Sequence, residues 1–201
     1  MKHRYQDLST FTMPAGFRGR PAWVVQLWWI VQALLFRPSP QFLYGWRRWL
    51  LRQFGAEVGQ GAVIRPTVHT QFPWKVKIGE YAWIGDDVVL YSLGPIHIGP
   101  HAVVSQKTYL CTGSHDPARP DFPIFSQPIS IGAECWIATD VYVAPGVSIG
   151  QGTLVGARSS VFKDLPGGKV CVGSPARVIR DRLVPATVVA PAAPAHEMNE
   201  N

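Results

Sequence analysis

The chain has 201 residues, of which 47% are hydrophobic and only 16% are charged. This length accommodates one domain with terminal additions, and the low charged fraction suits a fold with a large core. The net charge of +6 is spread along the chain without a lysine run, which argues against nucleic-acid binding because a phosphate-tracking surface needs clustered basic residues.

Residues 1–56 are predicted to form a helical extension outside the repeating part of the chain. The segment from Ala22 to Phe36 is almost entirely apolar but is shorter than the ~20 residues that a membrane-spanning helix needs. A second helix with three arginines is predicted from Phe42 to Phe54. Five of the eight tryptophans lie in this extension: Trp23, Trp28, Trp29, Trp46 and Trp49.

Two interpretations of this extension remain open. It is either a helical cap on the open end of a repeat structure, which needs such a cap for solubility, or a hairpin whose residues 22–54 contact a membrane surface. The two roles are compatible with each other.

Residues 57–182 carry an aliphatic residue at almost every sixth position, and this repeat predicts the fold. Six is a multiple of two but not of 3.6, so the repeat favours short strands over helices. Three hexads form one triangular coil, and stacked coils bury their apolar edges against each other. The anchor positions are Val58, Ile64, Ile78, Ile84, Leu90, Ile98, Val104, Leu110, Ile131, Ile137, Val143, Ile149, Val155 and Val161.

The repeat has one long interruption and is followed by a non-repeating C-terminal segment. The largest interruption lies between Leu110 and Ile131, where the spacing predicts a protruding loop over residues 115–128. Residues 183–201 are rich in Ala, Pro and Val without periodicity, which predicts a disordered tail.

The cysteines predict a reducing compartment. Cys111, Cys135 and Cys171 form neither a pairing framework nor a CxxC metal signature. We therefore expect a cytoplasmic protein, with association to the inner face of the membrane if the extension contacts lipid.

His115 is the side chain best placed for chemistry. It stands where the repeat gives way to the longest insertion, in the sequence LCTGSHDP. A histidine at the base of such a loop is accessible in a cleft and yet held by a rigid scaffold. From spacing alone, an ordinary loop histidine is an equally good interpretation.

Four segments resemble the hexapeptide-repeat sugar O-acetyltransferases, and the colanic acid biosynthesis acetyltransferase group most of all. They are IGDDVVLYSLGPIHIG, YLCTGSHDP, PISIGAECWIATDVYVAPGVSIGQGTLVGARSSVFKDLP and VGSPARVIR. The resemblance implies an all-β fold, a left-handed parallel β-helix. It also implies a homotrimer with active sites between subunits, acetyl-CoA as co-substrate, and transfer of acetyl to a sugar hydroxyl in exopolysaccharide biosynthesis.

The resemblance also assigns roles to individual residues. It makes His115 the catalytic base, a role that suits an imidazole near neutral pH because a sugar hydroxyl is a poor nucleophile. Trp136, Thr139, Ala157 and Phe162 match positions beside the pantetheine arm of coenzyme A. Arg177 and Arg180 match basic residues near the nucleotide phosphates.

The acceptor site follows the family less closely. The acidic residue that the galactoside and maltose enzymes present from a short N-terminal region has no counterpart here, and Gly85 stands near the family's acceptor-binding asparagine. Asp86, Asp87 and Asp116 are the candidates for contacts to sugar hydroxyls.

Three alternatives remain open. His97, His101 and His115 are spaced so that a zinc site of the γ-type carbonic anhydrase kind deserves a check, although zinc needs three convergent ligands and TGSHDP favours acyl transfer; no metal is expected. N-acetylation of a nucleotide-linked amino sugar is the nearer rival. A non-catalytic trimeric scaffold is the third.

Overall fold

The computed structural model describes residues 5–183. The tail predicted over 183–201 lies, except for Leu183, outside the described residues. The N-terminal part contains a short 3₁₀ turn (Leu8–Thr10), helix α1 (Ala22–Val31), a π-helical turn (Gln32–Phe36) and helix α2 (Tyr44–Gln53). Both helices lie within the two segments predicted to be helical. Another 3₁₀ turn (Pro73–Lys75) fills the first break in the repeat.

The described residues from Glu57 onward form short strands joined by turns. In chain order they are β1 (Glu57–Val58), β2 (Val63–Ile64), β3 (His69–Thr70), β4 (Val76–Ile78), β5 (Trp83–Ile84), β6 (Val89–Tyr91), β7 (Ile96–Ile98), β8 (Val103–Val104), β9 (Tyr109–Cys111), β10 (Gly113–His115), β11 (Ile124–Ser126), β12 (Ile129–Ile131), β13 (Trp136–Ile137), β14 (Tyr142–Val143), β15 (Ser148–Ile149), β16 (Leu154–Val155), β17 (Ser160–Val161), β18 (Lys169–Gly173) and β19 (Ala176–Asp181).

These strands form three parallel sheets, which are the faces of a triangular prism. The first face is β1-β4-β7-β12-β15, the second is β2-β5-β8-β13-β16-β18-β19, and the third is β3-β6-β9-β14-β17. Within residues 5–183, β19 at the end of the second face is the only strand that pairs antiparallel within a face. The prediction of a left-handed parallel β-helix is confirmed.

The hexad anchors fill the prism. Ile64, Ile84, Val104, Ile137 and Val155 succeed one another along the second face with no exposed surface. The small or β-branched residues four positions after the anchors are also buried: Ala62, Val68, Ala82, Val88, Ala102, Thr108, Cys135, Val141, Val147, Thr153 and Ser159. The repeat therefore specifies the core residue by residue.

Helix α2 closes the open end of the first coil with its arginines. Arg47 is fully buried, and its Nε donates to the carbonyl of Ile64 at 2.6 Å. Arg48 and Arg52 donate to Ala62 and Val58, respectively. A first coil has no preceding strand, so its carbonyls need such partners. Helix α2 therefore covers the open end of the first coil.

Residues 5–20 form a strap along the corner between the third and first faces. The strap is held near its end, where Trp74 Nε1 donates to the carbonyl of Arg18 at 2.7 Å and Lys75 Nζ donates to that of Phe17 at 2.7 Å. At its start, the backbone N–H of Asp7 donates to Pro120 in the protruding loop at 2.7 Å. The strap therefore links the cap region to that loop.

Candidate active site

The protruding loop is a β-hairpin that carries His115. Strand β10 pairs antiparallel with β11, with His115 opposite Ile124. The hairpin begins directly after β9 of the third face, so the stacked coils hold its base. This arrangement projects His115 from the corner between the third and first faces.

Phe122 holds the imidazole of His115 in two ways. The two rings stack with centroids 4.3 Å apart and planes 7° apart. His115 Nδ1 also lies 2.8 Å from the carbonyl oxygen of Phe122. A carbonyl only accepts hydrogen bonds, so Nδ1 donates in this contact. When the imidazole is neutral, the proton acceptor is then Nε2.

The backbone of Phe122 is strained where it makes this contact. Its φ is +47°, in the left-handed region that bulky residues rarely adopt. The turn between β10 and β11 supports that conformation, because the N–H of Phe122 donates to the carbonyl of Arg119 at 3.0 Å. Strain of this kind persists where surrounding contacts enforce it, and it clusters at functional sites.

The strap supplies the other neighbour of the imidazole. The ring centroid of Phe11 lies 6.1 Å from that of His115, with the planes inclined by 54°. His115 is half-buried as a result of these neighbours. Neither aromatic contact could be predicted from the repeat, because Phe11 and Phe122 both lie outside the hexads.

Asp116 is engaged within the hairpin turn. Its Oδ1 accepts from the backbone N–H of Ala118 at 2.9 Å, and its own N–H donates to Pro123 at 3.1 Å. The carboxylate therefore stabilises the turn that follows His115.

Asp86 and Asp87 lie away from the hairpin, at the corner between the second and third faces. Asp86 accepts from Arg65 Nε at 2.8 Å and from the Thr67 hydroxyl at 3.0 Å. Asp87 is exposed and has a φ of +57°, as an aspartate in a tight corner tolerates. The structure does not bring these two carboxylates to His115.

Most of the residues predicted to bind coenzyme A form one strip, which we call the donor strip. It follows the corner between the second and third faces and continues onto the second face. Trp136 projects from β13 and its Nε1 donates to Ser105 at 3.0 Å. Thr139 and Ala157 stack on successive coils, since the N–H of Arg158 donates to the Thr139 carbonyl at 2.9 Å. Arg177 and Arg180 are exposed on β19, further along the same sheet.

Phe162 lies on the third face instead, at the end of a row of aromatic rings that starts beside the hairpin. Tyr91, Tyr109, Tyr142 and Phe162 follow one another at centroid distances of 5.9, 6.3 and 5.8 Å. Burial, with a smaller effect of Cys111, raises the pKa of Tyr109 and of Tyr142 to about 12. The row is therefore uncharged at neutral pH.

Cys111 lies within this row, and its thiol is engaged. Its Sγ donates to the carbonyl of Gly113 at 3.2 Å. This contact supports the base of the hairpin, which agrees with a structural role for the cysteine.

The histidines of the zinc alternative occupy different parts of the fold. His97 projects from the first face, and His101 stacks on Tyr81 at 5.3 Å at the corner between the first and second faces. Within residues 5–183, no group of three or more His, Cys, Asp or Glu is placed to hold a metal ion.

A search of protein-family models gave no match. Comparison with individual proteins, however, found clear relatives. The chain is 63% identical over 178 residues to the putative colanic acid biosynthesis acetyltransferase WcaF of Escherichia coli (strain K12), covering 89% of this chain and 98% of that protein. It is 32% identical over 138 residues to the galactoside O-acetyltransferase of the same strain, covering 67% and 68%.

A solved structure shares the fold. The hexapeptide-repeat acetyltransferase VCA0836 of Vibrio cholerae O1 biovar eltor, complexed with acetyl coenzyme A, has a TM-score of 0.72 and 28% identity, covering 80% of this chain and 88% of that one. The chain therefore belongs to the hexapeptide-repeat acetyltransferases, in the group of the colanic acid biosynthesis acetyltransferases.

Proposed function

We propose that this protein transfers an acetyl group from acetyl-CoA to a sugar hydroxyl in exopolysaccharide biosynthesis, with His115 as the general base. The contact between His115 Nδ1 and the Phe122 carbonyl carries the proposal. It fixes the tautomer in which Nε2 accepts a proton, which a base acting on an alcohol requires.

The reaction needs one base and no acyl-enzyme. Nε2 of His115 takes the hydroxyl proton as the sugar oxygen attacks the thioester carbonyl, and a tetrahedral oxyanion forms. When the carbon–sulfur bond breaks, the imidazolium returns the proton to the departing sulfur, giving the acetyl ester and free coenzyme A. The oxyanion needs a hydrogen-bond donor, for which a backbone N–H of a following coil is suited.

The active site is shared between subunits of a homotrimer. His115 projects from the corner between the third and first faces, whereas Thr139 and Ala157 lie at the corner between the second and third faces. These corners are different edges of one prism, so a second copy has to bring its donor strip to the hairpin. Trp136, Thr139, Ala157 and Phe162 then contact the pantetheine arm, and Arg177 and Arg180 bind the phosphates, for which guanidinium groups are well suited.

The test is His115→Asn, measured as coenzyme A release with free, nucleotide-linked and lipid-linked sugars. The asparagine amide can still donate to the Phe122 carbonyl but cannot act as the base. We expect turnover to fall by about 10²–10⁴-fold, with acetyl-CoA affinity and the mass of the assembly unchanged. His97→Asn, on the exposed first face, is the matched control.

Unchanged turnover in His115→Asn would contradict the mechanism. No activity of the unaltered protein with any acceptor would favour the non-catalytic scaffold. Faster coenzyme A release with amino sugars than with their hydroxyl counterparts would favour N-acetyl transfer.

A further inference from the structure

The outward side of the cap is an apolar surface, which we call the outer cap face. Phe42 is 75% exposed, Trp23 68% and Leu34 67%. Ile30, Trp46 and Trp49 continue this face, and the last two rings stack at 5.1 Å. Water-exposed apolar groups in this number are unusual on a protein surface and mark an interaction site.

The charge around the outer cap face has one sign. Residues 8–56 contain six arginines, no lysine and neither Asp nor Glu. Over the described range 5–183, none of these arginines forms an ion pair with a carboxylate. Arg47, Arg48 and Arg52 donate to carbonyls of the first coil, which leaves their positive charge uncompensated.

Grooves beside α1 combine apolar walls with guanidinium groups. One, of about 580 Å³, is lined by Trp23, Leu27 and Phe54, with Arg20 and Arg52 among its other lining residues. Another, of about 380 Å³, places Arg37 beside Trp29. Arg18, Arg20 and Arg37 are exposed, so both grooves offer a cation next to an apolar surface.

We infer that the outer cap face binds the surface of an anionic phospholipid bilayer. Tryptophan and arginine beside exposed aliphatic groups match the acyl, glycerol and phosphate layers of a membrane interface. No helix within residues 5–183 has the length and apolar character needed to cross a bilayer, so the cap lies on the surface. A second copy of this chain fits the face less well, because its own arginines would repel those of the first.

Membrane binding places the hairpin close to the bilayer. The cap covers the first coil, and the hairpin leaves the third coil, which lies roughly 10 Å further along the prism at the usual strand spacing. If the proposed function holds, His115 on the hairpin would lie within reach of a lipid-linked sugar at the bilayer surface, and this consequence rests on the proposed function. The membrane binding itself does not depend on that function.

The test is flotation of the full chain with vesicles of phosphatidylcholine, with and without phosphatidylglycerol. We expect binding to the anionic vesicles that weakens in 0.5 M salt, because screening shortens the range of the attraction. Combining Trp23→Ser, Leu34→Ser and Phe42→Ser should lower the bound fraction at least tenfold. Arg20→Gln with Arg37→Gln should remove the preference for anionic lipid.

Matched controls lie outside the cap. Ile179→Ser removes an apolar side chain that is 56% exposed on β19, and Lys107→Gln removes an exposed cation from a corner. Light scattering and thermal unfolding report on assembly and folding. The inference is wrong if the full chain does not bind anionic vesicles at low salt, or if the cap variants bind as well as the controls. It is also wrong if the cap variants change only the mass of the assembly, which would assign the face to contacts between copies.

Discussion

The environment of a residue is determined differently in the coils and in the non-repeating segments. In the coils, a residue's environment follows from its position in the hexad, so that Ile64, Ile84 and Ile137 are equally buried. In the strap, the cap and the hairpin, individual contacts decide, such as the one between His115 and Phe122. The coils therefore supply stability and spacing, and the proposed base lies where the repeat is interrupted.

Gly79→Ala should have the largest effect, because it damages the repeat itself. A Cβ at Gly79 would lie 2.3 Å from the backbone nitrogen of Pro100 in the next coil, and neither backbone can move without separating the coils. We expect the free energy of unfolding to fall by at least about 3 kcal/mol. Chemical denaturation measures this loss.

A glycine outside the repeat provides the contrast. Gly45 lies in α2, and the nearest atom to a Cβ there is 3.9 Å away. Gly45→Ala should stabilise the protein by about 0.5–1 kcal/mol, because alanine favours the helix. Equal destabilisation by both substitutions would mean that close stacking of the coils is not what requires Gly79.

Arg47→Met tests whether the cap stabilises the first coil. The guanidinium donates to the carbonyls of Ile64, Pro40 and Gln41, and the substitution leaves all three without this donor. Burial also lowers the pKa of Arg47, so removing the charge recovers part of the cost. We expect a net loss of about 2 kcal/mol in the free energy of unfolding.

Arg48→Met is the matched control for the cap. Arg48 is half-buried and donates to a single carbonyl, that of Ala62. Its replacement should cost about 1 kcal/mol or less. If Arg47→Met costs no more than Arg48→Met, the buried arginine is not what secures the first coil.

The sequence predicted the coils well because their packing is periodic. Every anchor from Ile64 to Val161 faces the interior, and the break after Leu110 located the hairpin. The predicted loop over 115–128 begins two residues later than the hairpin, since Gly113 and Ser114 already pair with β11. Periodicity placed His115 at the break in the repeat, and the family resemblance assigned it the role of catalytic base.

The spacing of the hexads does not predict contacts between distant segments of the chain. Phe11 reaches His115 across more than a hundred residues, and the bond from Asp7 to Pro120 joins two backbone groups. Asp86 was a candidate for the acceptor, but its pairing with Arg65 and Thr67 depends on how two coils align. Such contacts depend on where distant segments lie in three dimensions, and counting hexads does not predict this.

Phe11→Ala tests whether the strap positions the proposed base. Phe11 lies beside the His115 ring and away from the corner that carries the donor strip of the same subunit, so we expect it to act through His115 as a positioning residue. Loss of its ring frees one side of the imidazole while the bond to Phe122 remains. We expect kcat to fall about tenfold with KM for acetyl-CoA unchanged, because small misplacements of a catalytic group are costly. Phe11→Tyr, which keeps the ring, should restore kcat, and Leu8→Ala on the same strap should leave it unaltered. An increase in KM without a change in kcat would instead assign Phe11 to substrate binding.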